Sequence, residues 1–136
     1  MLNPTGFAAA LATFFGVWLG HVAVRKIEAQ AVDIRLPMVV CILLGVGMEA
    51  AALLTESRPL AAALGIVGVT LWWDALEFVR QEKRVKVGHA PANPCNPRHA
   101  RILAAYPQAT TLDWLERDPR GAPYSADELR QIAEGR

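Results

Sequence analysis

The chain has 136 residues, a net charge of +1 and 53% hydrophobic residues, enough for one ordinary domain. Nearly all the apolar residues lie before residue 80. Three buried helices in so short a soluble protein would need a surrounding layer that the remaining residues do not supply, which excludes an ordinary globular fold.

Pro4 to Val24 contains no formally charged side chain. It reaches the ~20 residues that cross a hydrocarbon core of ~30 Å. It lacks a basic n-region and is too long for a typical signal h-region, so it is expected to remain in the mature protein. At 100° per residue the helix separates by size: Gly6, Ala9, Thr13, Gly16 and Gly20 share one stripe, with Phe7, Leu11, Phe14, Trp18 and Val22 opposite. Small residues allow close backbone approach in lipid, so the first stripe should pack and the second should face acyl chains. Gly16 and Gly20 form a GxxxG, for which packing within the chain is favoured over homodimerisation.

The second apolar run, Leu36 to Leu54, carries only Glu49, with Cys41, Gly45, Glu49, Ala52 and Glu56 near one line. A charge at that depth faces the bundle, is protonated, or reaches outward to Arg58 or water. The third run, Pro59 to Trp73, reaches spanning length if its helix continues through Asp74 and Glu77 to about Val79. Ala61, Gly65, Gly68 and Ala75 form a small-residue stripe with Trp72, and Thr70, Asp74, Glu77 and Gln81 lie nearly opposite. Trp72 and Trp73 suit the membrane boundary as interfacial anchors, with stacking on a quinone as the alternative.

Arg25, Lys26 and Arg35 lie between the first two spans and Arg80, Lys83, Arg84 and Lys86 follow the third, against Arg58 alone between the second and third. The positive-inside bias then puts the N-terminus outside and the first loop and C-terminus in the cytoplasm. At that inner surface His21, Glu28, Asp74 and Glu77 are expected to form a polar collar, with Arg25, Lys26, Arg80 and Arg84 as counterions. Such a collar acts as an anchoring belt of ion pairs or as a ligand or proton site. Glu82, further along, is expected in the aqueous phase.

The pattern Trp73, Glu77, Gln81-Glu82, Arg84-Val85, Gly88, Pro91 and Asn93-Pro94, with His21, Lys26 and Glu28 before it, resembles the small bacterial membrane proteins of domain-of-unknown-function family 4491. Members of that family have a histidine followed seven residues later by glutamate, and a closing tryptophan, glutamate, glycine and Asn-Pro signature. The resemblance covers about residues 6–94, implies an integral membrane protein of similar topology, and brings no activity with it. Val22 stands where the family has proline and Asp74 where it has serine.

From Pro91 the chain changes character, and "PANPCNP" reads as a proline-punctuated linker to a tail of short helical pieces. A threonine can cap a helix in "TTLDWLERD", and Ser125 with Glu128 forms a capping box before Gly135. Leu112, Trp114, Leu115, Leu129 and Ile132 supply only a small apolar surface. Cys41 and Cys95 are separated by membrane depth, and Cys95 with His99 makes neither a haem attachment motif nor a closed zinc site.

No phosphate loop, nucleophile elbow or zinc-protease motif occurs, and the basic run after Arg80 suits anionic headgroups rather than nucleic acid. The expectation is an all-α integral membrane three-helix bundle in the bacterial inner membrane, residues 1–94, with a short cytoplasmic helical tail, residues 95–136. Neither enzymatic activity nor a metal or other cofactor is expected. The role read from these features is that of an accessory or assembly subunit of a membrane complex or homo-oligomer, packed through Gly6, Gly16, Gly20, Gly65 and Gly68. The alternative is small-scale transport, proton transfer or quinone binding at the acidic face of the third helix.

Overall fold

The structure, a computed structural model, describes residues 3–114, 116 and 123–134. Leu115 and Gly135, which the sequence assigns to the tail's apolar surface and helix end, lie outside the described residues. All regular structure among the described residues is helical: α1 (Pro4–Gln30), α2 (Arg35–Leu54), α3 (Arg58–Lys86), α4 (Pro97–Ala105) and α5 (Ala126–Ala133).

Local signals account for the helix starts. The Asn3 side chain accepts from the backbone N–H of Thr5 and Gly6 at 3.1 and 3.2 Å, and Pro4, whose missing N–H is harmless there, opens α1. Pro37 and Pro59 likewise fall in the first turns of α2 and α3. Ser125 and Glu128 form the reciprocal capping box that their spacing predicts. The segment 110–114 is irregular, and the rest of the helix expected in "TTLDWLERD" falls largely outside the described residues.

Helices α1, α2 and α3 are each long and apolar enough to cross a membrane, at 27, 20 and 29 residues. At a rise of ~1.5 Å per residue, α2 just matches a ~30 Å hydrocarbon core, while α1 and α3 exceed it by several residues. Phe7, Phe14, Trp18, Leu43, Leu53 and Leu54 are all exposed, a surface that water does not suit and acyl chains do.

The chain divides into two compact units. The first comprises Met1–Ile27 and Ile34–Phe78; the second comprises Glu28–Asp33 and Val79–Arg136. In the first unit α3 uses two faces. Toward α2, the indole of Trp72 lies over Gly45 and its Nε1 donates to the Ile42 carbonyl at 3.3 Å. A Cβ added at Gly45 would fall 2.5 Å from Trp72 Cδ1 and 2.9 Å from the Gly68 carbonyl oxygen, so the absence of a side chain there permits the crossing. Toward α1, Thr70 and Asp74 meet Gly16 and Gly20. Trp72 therefore packs on α2, where Gly45 leaves room for its ring, while 39% of the residue stays exposed.

The second unit has a small core of its own: Val85, Ala90, Ala92, Ile102 and Ala109, with Leu103 against it. Gly88 makes the turn out of α3 at φ +75°, and any Cβ there would collide with the Gln108 carbonyl. The Ala92 N–H then donates to the Thr110 carbonyl at 2.8 Å, and Asn96 caps α4 by accepting from the Arg98 N–H, with Pro97 at the first helical position.

Candidate functional site

In the second unit, the end of α1 leaves carbonyls that no later helical N–H can reach. The segment 93–98 donates to two of them, those of Glu28 and Ala29, and to the Ala31 carbonyl just beyond. Asn93 Nδ2 donates to the Ala29 carbonyl at 3.0 Å, and Asn96 Nδ2 donates to the Ala29 and Ala31 carbonyls at 3.1 and 3.0 Å. Arg98 Nε donates to the Ala31 carbonyl at 3.1 Å, and its Nη2 donates to the Glu28 carbonyl. "PANPCNP" is thus a folded clamp and not a linker. Each asparagine also accepts a backbone N–H, from Cys95 at 3.1 Å and from Arg98 at 2.9 Å, which fixes its amide toward α1.

Arg98 carries the electrostatics. Its Nη2 donates to Glu28 Oε1 at 2.8 Å and its Nη1 to Glu82 Oε2 at 2.8 Å, while Lys86 pairs with the other Glu82 oxygen. The planar fork of an arginine suits this task, since a lysine has too few fixed donors to serve two carboxylates and two carbonyls. Glu82 is mostly covered and paired on both oxygens, not in the aqueous phase as its position past Arg80 suggests.

His99 is fully buried beside this pair. Its Nδ1 accepts from the Asn93 backbone N–H at 2.8 Å, so the neutral ring carries its proton on Nε2 and donates to Glu28 Oε1 at 3.1 Å. The 2.9 Å approach of Arg98 Nη2 to Nε2 then joins two donors that share one acceptor oxygen rather than a bond between them. Both ring nitrogens are engaged and neither reaches solvent, an arrangement that positions Glu28 and leaves the imidazole no substrate-facing atom.

The expected collar residues fall in both units. His21, Arg25, Lys26, Asp74 and Glu77 belong to the first, and Glu28 and Arg80 to the second. Within the first unit the Asp74 carboxylate rests on Gly20, where an added Cβ would fall 2.6 Å from Oδ2, and His21 and Glu77 are its ionisable neighbours. Asp74 and Glu77 are buried, while His21 and Lys26 are exposed. Arg25, Lys26, Arg80 and Arg84 were expected as counterions of the collar as a whole. Glu28 itself is paired with Arg98 and His99, because the clamp returns residues 70 and 71 positions later to the end of α1. "CNPRH" carries a signal for the start of α4, an asparagine N-cap followed by proline at the first helical position, but none for the pairing with Glu28.

The packing glycines are also distinguished. A Cβ on Gly16 would touch Thr70 at 3.4 Å, one on Gly68 would fall 2.6 Å from Glu49 Oε1, one on Gly65 would lie 3.8 Å from Glu49 Oε2, and one on Gly6 would meet only Asn3 at 3.9 Å. Glu49 therefore faces Gly65 and Gly68 of α3, and its Oε1 is buried with no hydrogen-bond partner among the described residues. Among the described residues no group of three or more His, Cys, Asp or Glu side chains is placed to hold a metal ion.

The family profile described as "Domain of unknown function (DUF4491)" matches residues 3–96, more than half of the chain. The chain belongs to the DUF4491 family. No curated protein and no solved structure matches it. The DUF4491 match contains the acceptors of the clamp, Glu28, Ala29, Ala31 and Glu82, with Gly88, Asn93 and Asn96; Arg98 and His99 follow its last residue. In this DUF4491 chain the buried Glu28 is thus neutralised from just beyond the matched stretch.

Proposed function

We propose that this DUF4491 protein is a non-enzymatic, multi-pass protein of a bacterial cytoplasmic membrane, with its N-terminus outside and its C-terminus in the cytoplasm. Its role is that of an accessory or assembly subunit of a membrane complex or homo-oligomer. The observation that carries this reading is Arg98, which joins Glu28 at the end of α1 to Glu82 near the end of α3. A buried charge network of this kind is a positioning device that fixes two helix ends. The orientation is supported by the basic residues of the first loop and of the segment after α3, against Arg58 alone between α2 and α3.

Reporter fusions after Gln30, Ser57 and Glu134 test the topology. Inside, outside and inside readings are expected, and an external reading at Glu134 overturns the orientation. Purification in mild detergent followed by intact-complex mass measurement tests the role. A species heavier than one chain is expected, containing further copies or a second protein; a bare monomer under every mild condition overturns the assembly role.

A further inference from the structure

The first unit contains an open apolar groove of about 610 Å³ between α1 and α3. It runs along α1 from Ala8 to Ala23, and Asp74 is its only ionisable lining residue. Fifteen helical steps at ~1.5 Å make its length ~22 Å. The volume lies within the ~300–1,000 Å³ typical of sites for small organic ligands, which are mostly apolar with a few placed polar groups.

We propose that this groove binds a lipophilic organic cation, with the apolar body along α1 and the positive centre at Asp74. The inference is independent of the assembly role and rests on what the two polar lining groups offer. The Thr70 hydroxyl donates its proton to the Ile66 carbonyl at 2.7 Å, so toward the groove it presents lone pairs. Asp74, as a carboxylate, presents only acceptors. A site whose polar groups are all acceptors, one of them anionic, complements a cation and rejects an anion.

The surroundings agree. Gly20 leaves room for the Asp74 carboxylate at the groove wall, where any side chain would displace it. His21 of α1, Cys41 of α2 and Glu77 of α3 lie close enough to Asp74 to interact electrostatically with it, and the groove lining contributes no lysine or arginine. An ionisable residue within a membrane-crossing helix is retained against a desolvation cost, and a hydrophobic ligand that brings its own positive charge offsets that cost.

The test uses the full chain in phosphatidylcholine nanodiscs with radiolabelled tetraphenylphosphonium as probe and uncharged triphenylphosphine as comparator. The expected result is saturable binding of the cation at one site per chain, at least tenfold tighter than the neutral compound. Asp74→Asn, nearly isosteric and so compatible with Gly20, should weaken cation binding at least tenfold, as should Ala12→Leu, which fills the groove away from the acid. Asp127→Asn, in the exposed tail, should leave binding unchanged. No saturable binding by the unaltered protein overturns the proposal, and so does equal binding of the neutral compound or undiminished binding by folded Asp74→Asn protein. A dimer that Ala12→Leu dissociates, with no cation bound to either form, overturns it in favour of an interface between copies.

Discussion

Arg98 and Glu28 stand 70 positions apart in the chain and meet at 2.8 Å, with side chains only 10% and 1% exposed. A pair so buried is stable as a pair and costly when broken, since the remaining charge loses its partner without regaining water. Arg98→Ala should therefore destabilise the protein by about 3–5 kcal/mol. Thermal and denaturant unfolding in detergent will measure it. The double change Glu28→Leu with Arg98→Met should be milder than Arg98→Ala alone, because Glu82 keeps Lys86 and no charge is stranded. A double variant worse than the single would show that the network's value lies in its geometry rather than in charge balance.

His99→Phe keeps a buried aromatic ring but removes both hydrogen-bonding nitrogens. The Asn93 N–H loses its acceptor and Glu28 loses one donor, a loss of about 1–3 kcal/mol for an unsatisfied buried group. The Asn93 amide should also exchange its hydrogen faster in the variant. Unchanged exchange would mean that another acceptor replaces Nδ1.

Glycines in the spans should differ sharply. Gly45→Ala drives a methyl group into Trp72 and the Gly68 carbonyl and should lose about 1–3 kcal/mol, the range for overpacking. Gly47→Ala, with nothing within 4 Å of its new Cβ, should be neutral or slightly stabilising. The two thermal midpoints in the same detergent give the comparison, and equal midpoints would mean that α2 and α3 cross elsewhere.

Gly88→Ala should disturb the second unit. The substitution strains a left-handed backbone and meets the Gln108 carbonyl at once. Protease susceptibility between Val87 and Ala109 should rise, while the helical content of α1 to α3 by circular dichroism stays near that of the unaltered protein. Resistance equal to that of the parent would place the turn's control outside Gly88.

The sequence alone determined the spanning helices and much of their faces. Lipid imposes length and apolarity on each segment separately, so runs with at most one charge between Pro4 and Trp73 mark the spans, and the size stripe of α1 brings Gly16 and Gly20 to α3. The Ser125–Glu128 capping box was legible for the same reason, because its two hydrogen bonds join residues three apart. The clamp was not legible. Nothing near Glu28 names Arg98 as its partner, and proline-rich "PANPCNP" has the composition of a linker whether or not its asparagines find carbonyls. Trp72 shows the same division: an amphipathic residue near a membrane boundary suits an interface, and only the tertiary structure shows that its indole also packs over Gly45 and donates to Ile42. Local periodicity follows from neighbours a few residues apart, whereas a buried charge finds its partner wherever the folded chain returns, and that return is decided in three dimensions.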